Sequence, residues 1–213
     1  MYNRTYDSDF IRNTNYSIEN YISKYYKKHY KCLDLGCGSC RKIEKLLKYS
    51  KIFYAVDMDK KRIQEAKNRC ESYSNIILGV SDNFYLPFNN DSFDLISCFM
   101  TKYSVEEIYR ILKPNGILII ETLGADDKRV LKKEFGKDNL GWRGRMLSDT
   151  HNSKINRLEK ILQPHFEILE SKSIKFATKI SSSKLIELFE MTNEIREFDR
   201  KKRFSNNQQN NRF

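Results

Sequence analysis

Three prolines and eight glycines in 213 residues are too few for a collagenous, linker-rich or repeat-turn architecture. Apolar runs are short as well: the longest, such as Ile117 to Ile120, fall far below the roughly 18 to 20 residues that cross a bilayer. The polar opening MYNRTYDSDF has no apolar core of the signal-peptide kind, so a cytoplasmic location is expected. Only three histidines occur, His29, His151 and His165, and they are scattered without metal-ligand spacing. Five cysteines are an odd set in a chain long enough to bury a core, which points to reduced thiols rather than disulfide staples.

What the chain has in excess is positive charge, with 39 Lys and Arg against 28 Asp and Glu for a net +11. Such a surface favours polyanions such as RNA through counterion release. The same excess also fits a general bias toward Lys, Asn, Ile and Tyr, so charge alone selects no partner. A hydrophobic fraction of 39% is low but sufficient, because a chain of this size buries roughly 70% of its unfolded surface.

The pattern along the chain alternates. Residues 17–30 carry apolar and aromatic positions at helical spacing, with Ser17 as the expected cap. The run from Lys31 to Gly36 reads as a first strand, 41–49 as a helix, and KIFYAVD ending at Asp57 as a second strand. A helix over about 60–73, strands NIILGV and FDLISC, a helix over 105–112, the turn Lys113 to Gly116 and the strand ILIIET follow. Strands that are apolar throughout and separated by helices make a parallel sheet covered on both faces, an α/β doubly wound domain. Right-handed crossovers then bring the loops after Gly36, Asp57, Val80 and Cys98 to one edge, where a ligand crevice belongs.

Beyond Thr122 the expectation is a charged helix over 126–135, a polar loop holding Trp142, a helix over 152–162, strand-like FEILES and SIKFATKI, and a last helical stretch from Ser181. This divides the chain into a helical cap over 1–30, a main domain over 31–198 and a basic, Asn- and Gln-rich tail over 199–213 without fixed structure.

The sharpest chemical feature is Leu33-Asp34-Leu35-Gly36-Cys37-Gly38-Ser39-Cys40, at the junction of a strand and a helix. Glycines there let the backbone turn tightly and approach a ligand. Asp57, about twenty residues on, ends the next strand, where a carboxylate can accept both hydroxyls of a ribose. A dinucleotide fingerprint would need a small residue at position 41, which is Arg41, so hydride transfer is disfavoured.

With an acid before the first glycine, this segment resembles the class I S-adenosylmethionine-dependent methyltransferases, of the methyltransferase-11-like kind, over roughly residues 30–123. AVDMD, SDNFYLPF, FDLISC and EEIYRILKPNGILIIE follow in that family's order. The resemblance implies a Rossmann-like sheet with an amino-terminal helix and a helical carboxy-terminal extension, and S-adenosylmethionine as cofactor. It implies that Asp34, Gly36, Cys37 and Gly38 receive the amino-acid end, that Asp57 holds the ribose with Met58 lining the adenine, and that Asp82 and Asn83 read the adenine, with Cys98 lining the pocket. Phe99, Met100, Tyr103, Trp142 and Arg143 are the candidates facing a substrate. Cys40 departs from the family in replacing a usual third glycine, and Phe84 stands where an acid is common. The short span from Asp94 to Glu106 is similar to that of guanine-N1 methyltransferases of large-subunit ribosomal RNA, whose zinc ribbon is absent here.

No catalytic residue is assigned, since neither an Asn/Asp-Pro-Pro-aromatic motif nor a Pro-Cys pair follows the fourth strand. Cys37 and Cys40 form a C-x-x-C without a second half, so loop packing is expected and no metal. The tyrosines and lysines between Tyr21 and Lys31 fit an RNA-stacking surface, but an amphipathic helix packing its rings on the sheet with its lysines solvated is the favoured reading. A small-molecule acceptor is set ahead of RNA, with a non-catalytic cofactor- or RNA-binding module as the third reading and no membrane partner.

Overall fold

The computed structural model describes residues 18–124 and 150–174. These fall in two compact units, one holding 18–123 and 159–169, the other 124, 150–158 and 170–174. The first contains a five-stranded sheet, built from β1 (Lys31–Leu35), β2 (Ile52–Asp57), β3 (Ile76–Val80), β4 (Phe93–Phe99) and β5 (Leu112–Glu121). The strands lie in the order β3-β2-β1-β4-β5, and every pairing is parallel. The chain leaves β3 at one edge and re-enters beside β1, so the reversal point of the winding falls between β1 and β4. At that point an open α/β sheet forms its ligand crevice, outside the carboxyl ends of the strands.

Side-chain alternation along β1 shows why the sheet needs cover on both faces. Cys32 packs with Leu46, Leu47, Phe53 and Ala66 on one face, while Leu33 and Leu35 pack with Phe93, Ile96 and Ile108 on the other. Helix α2 (Lys60–Arg69) starts where the Asp59 carboxylate accepts the Lys61 N–H at 2.8 Å, and it buries Ile63 and Ala66. Helix α3 (Val105–Ile111) is capped by the Ser104 hydroxyl, which accepts from the Glu107 N–H at 3.1 Å. These are ordinary side-chain caps on the first free amides of a helix.

Several expected elements differ in extent. The amino-terminal helix is only α1 (Ile18–Ile22) followed by a 3-10 turn (Ser23–Tyr25), and Ser17 lies outside the described residues. The chain leaves helical geometry at Tyr26, whose ring is buried and stacked on Phe53 at 6.0 Å between centroids. Tyr21, Tyr25 and Tyr30 pack against the same core, which uses the rings of the basic stretch for packing. Residues Ile43–Tyr49 form a 3-10 rather than an α-helix. Lys113–Gly116 are not a separate turn but an irregularity inside β5: Phe93 pairs with Leu112 and Leu95 with Ile117, so the residues between loop out. Asn115 takes φ +63° there.

Helix α4 (His151–Leu162) agrees with the expected helix. FEILES does not form a strand; instead the ring of Tyr109 on α3 lies 5.9 Å from that of Phe166 and 4.7 Å from that of His165. The expected helix over 126–135, most of SIKFATKI, the last helical stretch and the tail lie outside the described residues. No helix among the described residues is long and apolar enough to cross a membrane.

Candidate functional site

The carboxyl ends of β1, β2, β4 and β5 bring the site residues together. Asp34, next to last in β1, is 2% exposed. It lies opposite Ser97 of β4 in the register, and the Ser97 hydroxyl donates to Asp34 Oδ1 at 2.5 Å. Burial pushes the Asp34 carboxyl up from its ordinary 3.8 to about 7. The Ser97 bond and the Lys42 charge oppose that rise, and the Asp57 and Glu121 carboxylates add to it.

The raised Asp34 predicts a pH signature. A carboxyl that holds its proton more tightly folded than unfolded contributes stability that is full below about pH 4 and lost as pH rises through about 7. A rise from 3.8 to about 7, at about 1.4 kcal/mol for each step of one in pKa, corresponds to a loss on the order of 4 kcal/mol. The Asp34→Asn variant should lack this slope, so urea unfolding midpoints at pH 5 and pH 8 should converge in the variant and diverge in the parent.

The glycine loop follows. Gly36 and Gly38 take φ +66° and +55°, and Cys40 takes φ +61°. The loop is pinned by Cys37 N–H to Val56 C=O at 2.9 Å and by Cys40 N–H to Cys37 C=O at 2.9 Å. Left-handed geometry at position 40 is a conformation that glycine adopts most readily. Cysteine accepts it with its side chain fully buried, at a conformational cost of about 1–2 kcal/mol.

The two glycines differ in surroundings. A Cβ on Gly36 would lie 2.2 Å from Thr101 Oγ1, whereas one on Gly38 would meet nothing within 4 Å. The loop is therefore closed against the β4 end at Gly36 and open at Gly38. The Gly38 N–H donates to Asp57 Oδ2 at 2.8 Å, and the Asp59 N–H donates to Oδ1 at 2.9 Å. Each Asp57 oxygen thus keeps a further lone pair, in a side chain fixed at the end of β2 beside open space. Met58 next to it is 75% exposed.

After β3, Asp82 Oδ1 accepts the Phe84 N–H at 2.9 Å, which bends the loop back on itself. The Asn83 amide donates to Thr101 Oγ1 at 3.1 Å and to Lys102 C=O at 2.9 Å, tying this loop to the one after β4. At the β4 end Cys98 and Phe99 are buried in the two cores. Phe99 is 7% exposed, with the Lys42 ammonium 5.3 Å from its ring centroid. Met100 is 51% exposed in a left-handed conformation, φ +56°. Tyr103 is half-buried against the α3 core, and burial pushes its phenol up to about 12. Trp142 and Arg143 lie outside the described residues.

Four residues that sequence reasoning missed belong to this edge: Ser97, Thr101, Lys42 and Glu121. The Lys42 ammonium hydrogen-bonds Glu121 Oε2, joining the end of the glycine loop to the end of β5. None of these contacts has a local signal, because each partner is supplied by a distant strand. All five cysteines are free. The thiol of Cys37 is held well above its ordinary value by its bond with Cys40 and by burial, the opposite of a reactive thiolate. Among the described residues no group of three or more His, Cys, Asp or Glu could hold a metal.

The glycine loop, the Asp57 anchor and the order of the strands coincide with a family match: residues 33–120 fit the model of a methyltransferase domain. Residues 33–120 thus form a methyltransferase domain of the class I S-adenosylmethionine-dependent kind. A ubiquinone biosynthesis O-methyltransferase of Coxiella burnetii is 32% identical over 114 residues, 50% of this chain and 49% of that one. The tRNA N(3)-methylcytidine methyltransferase Mettl2 of Drosophila melanogaster is 28% identical over 134 residues, 52% of this chain and 41% of that one. The chain thus spans about half or less of the length of these curated relatives. The PH0226 protein of Pyrococcus horikoshii OT3 superimposes with a TM-score of 0.53 at 27% identity, over 62% of this chain and 66% of that one.

Proposed function

We propose that this chain transfers the methyl group of S-adenosylmethionine to a small-molecule acceptor by in-line displacement. The observation that carries the reading is the Asp57 carboxylate, held by the Gly38 and Asp59 amides beside the open backbone of Gly38. The donor, when bound, supplies an activated methyl on a sulfonium, and its leaving group departs as a neutral thioether. Asp57 takes the ribose hydroxyls, Met58 flanks the adenine, and Asp82 accepts from the adenine amine with Asn83 beside it. Asp34, Gly36 and Cys37 face the amino-acid end, above the buried Cys98. Met100 and Tyr103 border the acceptor side, to which Trp142 and Arg143 are also assigned; Phe99 supports that border from the core.

For such a displacement the protein mainly aligns the nucleophile with the methyl carbon and excludes water. Alignment of this kind contributes roughly 7 to 11 kcal/mol. No proton-transfer residue is assigned: a neutral nitrogen acceptor needs none in the displacement itself, whereas a hydroxyl acceptor gains from one.

A small-molecule acceptor is supported by the Coxiella relative, named for ubiquinone biosynthesis. The second reading is RNA, favoured by the Drosophila relative named for tRNA and by the +11 charge. Incubation with methyl-labelled donor and cell extract, followed by separation into RNA, protein and small molecules, tests both. Label is expected in the small-molecule fraction. Label in RNA, with binding that weakens steeply with salt, would replace that acceptor by the second reading. Label in no fraction, while the donor binds in calorimetry, would leave a non-catalytic module.

A further inference from the structure

Among the described residues, ion pairs of the sheet unit include Arg62 with Glu65 along α2, Arg110 with Glu107 along α3, and Lys113 with Asp94 at the amino end of β4. The pair between Lys42 and Glu121 is placed differently. It joins residues 79 apart in sequence at the carboxyl edge. Lys42 follows the glycine loop directly, and Glu121 is the last residue of β5, its carbonyl accepting the Met100 N–H at 2.9 Å.

The two side chains are 36% and 17% exposed, so they are partly withdrawn from water. Both charges act on the buried Asp34 carboxyl at the β1 end, Lys42 favouring its ionised form and Glu121 opposing it. The pair lies at the carboxyl edge of the sheet, with Glu121 ending β5 and the Lys42 ammonium over Phe99, which ends β4. On its face of β5 the preceding residues, Ile117 and Ile119, pack into the core; the charge comes only where that stripe reaches the edge.

If Asp57 holds the ribose at β2, the rest of the donor must run across the glycine loop toward β4 and β5, because β3 and the Asp82 loop take the adenine side. Its far end is an amino acid carrying a carboxylate and an ammonium. We infer that Lys42 and Glu121 are the anchoring pair for that zwitterion, opening as it enters, with Lys42 taking the carboxylate and Glu121 the ammonium. The exchange leaves no charge unpaired in a partly dry site, where an orphaned charge is costly. The pair before binding occupies both groups, keeping the edge electrically satisfied until the donor arrives. This inference rests on the methyl-donor reading of the site.

Two thioether ligands separate the inference from that reading. S-adenosylhomocysteine and 5′-methylthioadenosine share the nucleoside and an uncharged sulfur, and only the first has the amino-acid end. Calorimetry on the full chain should show Lys42→Met weakening S-adenosylhomocysteine by about tenfold or more, as expected for loss of a charged hydrogen bond. Methylthioadenosine should be unchanged. Lys42→Arg should restore most of the loss, and Lys42→Gln carries the same comparison if the methionine variant does not fold. Equal weakening of both ligands would reduce the pair to a structural brace, and unchanged affinity for both would remove it from the site; either overturns the inference alone. Failure of the unsubstituted protein to bind either ligand would overturn the donor reading together with the inference.

Discussion

Replacing Asp57 with alanine is expected to lower affinity for S-adenosylmethionine by about a hundredfold or more. Two losses combine. In the proposed site the ribose hydroxyls would lose their acceptor, and hydrogen bonds to a charged group are each worth about 1.5–3 kcal/mol. In addition, the Gly38 and Asp59 amides lose the oxygens that fix the glycine loop against β2, at 2.8 and 2.9 Å. Asp57→Asn separates the two effects, because the amide retains one acceptor oxygen for the loop while losing the charge. Isothermal calorimetry of both variants is the check, and an alanine variant that binds within a few-fold of the parent would withdraw Asp57 from the donor site.

The second large effect is expected at Gly36. An alanine Cβ there would lie 2.2 Å from Thr101 Oγ1 and 2.6 Å from Thr101 Cβ, at a backbone φ of +66°. Left-handed geometry costs a non-glycine residue about 1–2 kcal/mol, and forcing an atom into packed space about 1–3 kcal/mol more. Gly36→Ala should therefore destabilise by about 2–5 kcal/mol, read as a lower urea midpoint. Thr101→Ala should not rescue it, since the Thr101 Cβ is itself in the way; Thr101→Gly should recover part. Gly38→Ala is the informative contrast. Its added methyl meets no protein atom, so it should cost only the backbone term while intruding on the space assigned to the donor. Stability loss larger at 36 and affinity loss evident at 38 is the expected pattern. Equal behaviour at both positions would mean that the loop does not divide into a packed and an open half.

Much of this site is local chemistry, which is why it is readable in one dimension. The glycines and Asp57 act through backbone turns and a strand terminus, and the apolar strands announce a buried parallel sheet before any contact is known. Periodicity is a weaker guide where tertiary packing competes with it. Residues 17–30 carry helical spacing, yet the helix stops so that Tyr26 can stack on Phe53. FEILES has the pattern of a strand, but Phe166 packs beside Tyr109 instead. Phe99, last in the fourth strand, is 7% exposed, a burial that the sequence pattern does not announce.

By itself the amino-acid sequence determined the alternation of strands and helices, the glycine loop and the carboxylate at its side, because each depends on residues close together in the chain. Only the tertiary structure decided that Ser97 bonds Asp34 across 63 residues, that Thr101 closes over Gly36, and that Lys42 meets Glu121 across 79. Those contacts come from the register of neighbouring parallel strands, which places residues at one edge irrespective of the length of chain between them.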